Sequence, residues 1–469
     1  MTQIPKRATI IKPAKVTNHV KTVSEIISAF VSNLEFHSIP CEVLGRLKNI
    51  VLDTLGTTVG GSKVRALRPI VEVIRSFAAL EESTIIGHSC KSSSPYAGYV
   101  NSVAAAYLEL DNGYHLGTVH PACIIVPTAF AVAEPLGLGG KDVLTAVLAG
   151  HEVMLRTGRA TRTQVNRGTD PSGSCGCFGA VATAGKLLGL NQWQMANAFG
   201  IAGLQTPLSP LEWMHKPSTA KSLHMGQASY VGIISALLAQ KGATGPLTIF
   251  EGDMGFCQAT VGRKNRHKLT RGLGRMWETK YTYYKFHSSC RWTHSSIDCV
   301  LELRKKHKLV ASDVKKIHVT TFPQAAKLTE TVPRDETMAR FSLPYTMAVA
   351  LVDGKVGPEQ FSRHKLRDAE ILALARKVTI ATSPGFSVYP TKRPATVVIE
   401  RKDGTRLRHH EDYCFGDCPQ RMPSNKDIES KFYEITKRIM NRTEAQKVKM
   451  IVDKLDTAKN LDEVFRLIR

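Results

Sequence analysis

The stretch ELDNGYHLGTVHP, residues 109–121, brings Glu109, Asp111, Tyr114, His115 and His120 into a single turn that Pro121 closes. It follows the small apolar run YVNSVAAAYL, which reads as an ordinary helix. A core has no reason to hold so many titratable groups, and histidine beside carboxylate is equipment for moving a proton. Three other stretches are loaded in a similar way. TDPSGSCGCFGA, residues 169–180, is a loop of small residues leading into a helix, whose first N–H groups suit a carboxylate. KPSTAKSLHMG, 216–226, sets Lys221 and His224 one helical turn apart, so that both can face one site. YYKFHSSCRWTH, 283–294, supplies Lys285, His287, Cys290, Arg291 and His294. Taken singly, such a Lys or His is usually solvated or satisfied within the structure. Taken together they describe a cationic cleft with proton-transfer groups, which suits a di- or tricarboxylate.

Helical periodicity dominates the elements that must position these groups as far as about residue 260. EVLGRLKNIVLDTLGTTVGG places Leu44, Leu47, Val51 and Leu55 on one face, and Thr22 with Glu25 forms a capping box before SEIISAFVSNL. The later helical runs are rich in Ala and Gly, so they can approach closely, and a block of this kind is a bundle rather than a βαβ sheet. After about 280 the character changes. KKIHVTTF (315–322) and ATVVIERKDGTRLRHHE (395–411) read as strands, with Asp403-Gly404 as a hairpin turn. The helical runs SSIDCVLELRKKHK and TMARFSLPYTMAVALVDG stand between them. The expected fold is mostly α with a smaller α+β domain. A basic flexible tail spans 1–22, a large helical-bundle domain 23–280 and the α+β domain 281–418, and the helices of 419–469 pack back on the bundle.

With 469 residues, 43% of them hydrophobic, the chain can bury the cores of two domains. No run of about 18 apolar residues is present, so no membrane span is expected. The start lacks a secretory core, and its two prolines and scarcity of Arg and Ser favour a tail over a transit peptide. Ten cysteines in a chain of this length fit a reducing compartment, with the cytoplasm expected and the mitochondrial matrix as the alternative. Neither close pair, Cys175/Cys177 or Cys414/Cys418, has metal spacing, so no metal is expected and cluster-dependent aconitase chemistry is set aside. The net charge of +23 suits a polyanion. Its densest basic run, 263–276, lacks acidic residues and interleaved aromatics, and it reads as a solvated connector, so nucleic acid is not the expected partner.

DTLGTTVGG, ELDNGYHLGTVHP, GCFGAVATAGKLLGL, KSLHMGQASYVGIISALLAQKGATGPLTIFEGDMGF, KFHSSCRWTH and ARFSLPYTMAVALVDG occur in that order. Together they resemble the MmgE/PrpD family of 2-methylcitrate dehydratases and cis-aconitate decarboxylases, from about residue 24 to the C-terminus. The resemblance implies a helical domain, a smaller α+β lid, a homodimer and no cofactor. It matches the family's acidic residue to Asp111 (or Glu109), its turn histidine to His120, the lysine of K-x-L-H to Lys221, followed by His224, and the lid lysine to Lys285. Cys290 stands where some members have His and others Cys. Where decarboxylases of the family carry a histidine before the G-x-x-G-A helix start, this chain has Asp170, and an unpaired carboxylate there would repel an anionic substrate.

Eliminating water from a citrate-type β-hydroxy acid needs a base, an acid for the departing hydroxyl, and cations for the developing charge. In this reading His120 exchanges the proton, with Asp111 or Asp170 orienting it or protonating the leaving group. Lys221, Lys285 and Arg291 hold carboxylates. His224, Cys290, Tyr114, His115 and His294 complete the binding set, and residues near Trp213, Met214 and Phe286 receive an alkyl group. Dehydration of a 2-methylcitrate or longer alkylcitrate is the expected activity. Cis-aconitate decarboxylation is the alternative, and a non-catalytic anion- or RNA-binding relative the remaining one.

Overall fold

A computed structural model describes residues 20–77, 80–214, 218–386 and 389–469. Residues 1–19 of the expected basic tail, and the Met214 side chain, lie outside the described residues. Thr22 opens the first helix, Val23–Asn33: its Oγ1 accepts the Glu25 N–H at 3.2 Å, and the Glu25 carboxylate accepts the Thr22 N–H at 2.7 Å. The helices Cys41–Ser62, Ser94–Tyr107, Ala122–Ala133, Gly140–Thr161, Pro171–Leu187, Gln192–Gly203 and Leu223–Gln240 build the larger body. Ala122–Ala133 is buried at every position, as a helix apolar on all sides must be. Small residues set how closely its neighbours cross. A Cβ at Gly150 would stand 1.9 Å from Thr183 Oγ1, and one at Gly232 would stand 2.2 Å from the Ala180 Cβ. Gly140–Thr161 and Leu223–Gln240 therefore both lie directly against Pro171–Leu187, the helix that Asp170 caps.

The second part holds a four-stranded sheet in which Val378–Thr382 runs parallel to Val314–Thr321. The other side of Val314–Thr321 pairs antiparallel with Ala395–Arg401, which forms a hairpin with Arg406–Glu411. Asp403-Gly404 makes the turn, with Gly404 at φ +89° and Asp403 Oδ1 accepting the Thr405 N–H at 2.9 Å. The sequence reading missed Val378–Thr382, a short half-buried edge strand with little alternation. The run read as one helix at TMARFSLPYTMAVALVDG divides into Glu336–Arg340 and Leu343–Asp353. Ser342 restarts it by accepting the Tyr345 N–H at 2.9 Å, with Pro344 in the first turn where its missing N–H costs nothing.

Two large apolar cores result among the described residues. One fills the helical body and includes Ile428, Phe432, Val448 and Phe465 from the C-terminal helices. The other, from Cys290 to Ile399, lies between the sheet and the helices His294–His307 and Leu343–Asp353. Lys431 on the helix Asn425–Thr436 reaches buried Asp53 on Cys41–Ser62 at 2.6 Å, which fixes that helix along the body. No helix among the described residues is long and apolar enough to cross a membrane.

Candidate active site

The turn after Ser94–Tyr107 is held by its own backbone. Glu109 and Thr118 adopt left-handed conformations, at φ +53° and +57°, which cost non-glycine residues about 1 kcal/mol or more each. Paired backbone groups over-determine them: Tyr114 N–H donates to the Val119 carbonyl at 2.8 Å, and Thr118 N–H to the Tyr114 carbonyl at 2.9 Å. Gly113–Tyr114 also pairs with Thr282–Tyr283 of the approaching second part. Asn112 Oδ1 accepts the Ala122 N–H at 3.0 Å, which ties the turn to the next helix. His120 Nδ1 stands 2.8 Å from Asp111 Oδ2 and 3.1 Å from the Asn112 carbonyl. Two acceptors on Nδ1 require the proton there, which leaves Nε2 as the nitrogen able to take one.

Two buried lysines converge on this turn. Lys221, in the turn Thr219–Ser222, binds Glu109 Oε1, while Lys285 Nζ lies 3.0 Å from Glu109 Oε2 and 3.3 Å from Asp111 Oδ1. Burial pushes the Glu109 carboxyl up, but Lys221 and Lys285 outweigh it and hold it below its ordinary value. Burial likewise opposes ionisation of Asp111, and Lys285 and His120 hold it far below the carboxylate range. Burial lowers the Lys285 ammonium, but Asp111 and Glu109 more than reverse that. Glu109, Asp111, Lys221 and Lys285 are therefore ionised together. Nearby, Asp170 caps Pro171–Leu187 by accepting the Ser172 N–H at 2.8 Å and stands 3.5 Å from His224 Nε2. Burial raises that carboxyl, yet His224 and the cap bond leave it well below its usual value.

The second part forms the other side of the cleft, a partly open space of about 630 Å³ that is continuous with solvent. Arg291 binds Asp417, donates to the Tyr284 carbonyl at 3.1 Å and lies 4.4 Å over the Tyr283 ring. Arg393 reaches the same ring from 5.5 Å. Cys290 faces the cleft as a thiol, its pKa pushed up to about 12 by burial. An apolar side is formed by Val165, Leu211, Trp213, Trp292 and Phe341, with the Lys221 ammonium 5.5 Å from the Trp213 ring. No cluster of His, Cys, Asp or Glu among the described residues has the arrangement of a metal site.

Comparison with known proteins decides the class. Residues 25–268 match the model of the MmgE/PrpD N-terminal domain, and residues 287–457 that of the MmgE/PrpD C-terminal domain. The chain belongs to the MmgE/PrpD family. Curated relatives match nearly all of it. A cis-aconitate decarboxylase of Aspergillus terreus is 26% identical over 96% of this chain and 97% of its own. The cis-aconitate decarboxylases of Mus musculus and Homo sapiens are 23% and 24% identical, over 96% of this chain and 94% and 95% of theirs.

In this MmgE/PrpD protein, Glu109, His120, Asp170, Lys221, Lys285, Cys290 and Arg291 line one cleft. Asp111 sits directly behind His120 through their 2.8 Å pair. Other expected site residues do not line the cleft. Tyr114 turns away to bind Glu278, which also binds Arg159. His294 is fully buried, with Nε2 3.2 Å from the Ser289 carbonyl and Nδ1 3.1 Å from Arg291; burial and Arg291 push it far below its usual pKa and keep it neutral. His115 pairs with Asp417 at 2.8 Å, and His224 contacts Asp170 rather than the cleft. Phe286 packs on Phe415 with centroids 4.6 Å apart, away from the cleft, whereas Trp213 of the expected alkyl pocket lines it. Sequence reasoning missed Tyr283, Trp292, Phe341, Tyr389 and Arg393. Trp292 lay unread inside CRWTH, but nothing local marked Arg393, which precedes a strand in the β-rich part.

Proposed function

We propose that this protein is a lyase acting on a small tricarboxylate, and that it removes water from a citrate bearing a methyl or longer alkyl group. The observation that carries the reading is the meeting of two acid–base pairs, His120 with Asp111 and Asp170 with His224, at one cleft that also holds buried cations. Elimination uses both. His120 Nε2 takes the proton from carbon beside a carboxylate, the C–O bond breaks, and the departing hydroxyl receives a proton passed from His224 through Asp170, the member of that pair that lines the cleft. Lys221 and Lys285 stabilise the enediolate-like charge. The wall of Leu211, Trp213 and Phe341 receives the alkyl group. The reading assigns no cofactor. It carries with it the homodimer and the cytoplasmic or matrix location that the family resemblance and the cysteine usage suggest.

Decarboxylation of cis-aconitate is the second reading, favoured by the names of the full-length relatives. It needs one proton donor to carbon as CO₂ leaves. The pairing of Asp170 with His224 lessens the repulsion that a bare carboxylate would exert on the substrate. Purified protein incubated with 2-methylcitrate, a longer alkylcitrate and cis-aconitate, with the new double bond and CO₂ followed together, tests both readings. Alkene without CO₂ supports dehydration. CO₂ from cis-aconitate replaces it with the second reading. Silence on all three overturns both.

A further inference from the structure

Among the described residues four permanent cations line the cleft, and three are already neutralised. Lys221 is bound to Glu109, Lys285 to Glu109 and Asp111, and Arg291 to Asp417. Arg393 is different. It is 3% exposed, its Nε has no hydrogen-bond partner, and no ion pair to it is formed among the described residues. Its one side-chain polar contact among the described residues is a 3.5 Å approach of Nη1 to His115 Nε2, and its faces are spent on the rings of Tyr283 and Tyr389, at 5.5 and 5.3 Å. Asp417, whose charge acts on Arg393, is already paired with Arg291 and His115. A buried guanidinium with unused donors is costly unless an anion meets it.

We infer that Arg393 is the residue that captures a substrate carboxylate, so that the second part of the chain, and not the lysines of the helical body, supplies the free anion site. Lys221 and Lys285 meet a substrate only while already holding Glu109 and Asp111, so they tune charge more than they attract it. The planar fork of Arg393 fits a carboxylate with two parallel N–H donors. Burial lowers its pKa, against the pull of Asp417 and Cys414; an arriving carboxylate reverses that imbalance. The neighbouring Tyr389 and Trp292 pack edge to face with centroids 5.9 Å apart and hold the segment that carries it.

The inference rests on the tricarboxylate reading, so its test uses an inert ligand. Propane-1,2,3-tricarboxylate, which has neither hydroxyl nor double bond, is titrated calorimetrically into wild-type protein, R393Q and R393K, and each is melted alone. Expected are a Kd raised about 30-fold or more in R393Q and a smaller loss in R393K, which keeps the charge but not the fork. Melting of free R393Q should stay level or rise, because an under-compensated buried cation has gone. Equal binding by R393Q and wild type overturns the role of Arg393 while leaving the tricarboxylate reading intact. So does a large fall in melting temperature with unchanged binding, which would mark Arg393 as structural. No binding by wild type overturns the tricarboxylate reading itself, and the role of Arg393 with it.

Discussion

On one wall of the cleft every charge has a partner nearby: Lys221 and Lys285 grip Glu109, Lys285 also reaches Asp111, and Asp111 steadies His120. On the facing wall two arginines crowd one tyrosine ring, and among the described residues only Arg291 is ion-paired, to Asp417. The charges of Glu109, Asp111, Lys221 and Lys285 on the first wall are in place before any substrate arrives. Preorganised dipoles and charges of that kind do not have to reorient when charge develops, which suits proton transfer. The second wall is left with a positive excess that only a ligand can relieve, which suits capture. The difference teaches that counting cations along the sequence does not find the anion site; counting their partners does.

Removing His120 should break the chemical wall most severely. H120A is expected to lower kcat by about 100- to 10,000-fold, the range of a lost general acid–base group, with little change in melting because its side chain is one-fifth exposed. Near-normal kcat would move the base elsewhere. E109Q should come next, measured by chemical denaturation. Two buried lysines lose their common partner, at a cost of about 3–5 kcal/mol, and the double variant E109Q/K221M should recover part of it. A cost within error would mean that water or the substrate, and not Glu109, compensates those lysines.

A subtler contrast is acid sensitivity. His151 is fully buried in the helical body, and burial with Arg46 pushes it down to about 3. The unfolded chain takes up this proton near pH 6.5 and the folded one does not, so the group costs stability progressively as pH falls from about 6.5 toward 3. H151L should flatten that part of the stability–pH curve by up to one proton, while the carboxylates of the paired wall, held below their usual values, keep their own loss at lower pH. An unchanged curve would reject the buried neutral imidazole. The smallest effect is expected from Y114F. It removes a hydroxyl that Glu278 accepts outside the cleft, costs about 1–3 kcal/mol, and leaves kcat within a few-fold. A collapse of kcat would restore Tyr114 to the site.

The helices and the hairpin were legible because their signals are local: the 3.6-residue period, the Thr22–Glu25 box and the Asp403-Gly404 turn each act within a few residues. The break before Leu343–Asp353 was encoded just as locally, in Ser342 and Pro344, yet apolar periodicity ran through it and hid it. The edge strand Val378–Thr382 escaped because its partner, Val314–Thr321, is distant in sequence and supplies what its own pattern lacks.

At the site, the residue types and spacing of 109–121, 216–226 and 283–294 singled out Glu109, Asp111, His120, Lys221 and Lys285, along with Tyr114, His115 and His294, and the family resemblance pointed to Asp170. Sequence could not say which of those charges are spent on one another. That depends on Glu109 meeting lysines 112 and 176 positions away. It also depends on Asp417 serving both Arg291 and His115, and on Tyr114 and His294 turning to partners outside the cleft. Charge type is a property of the residue and is written in the chain. Charge compensation is a property of distance, and only the tertiary structure sets it.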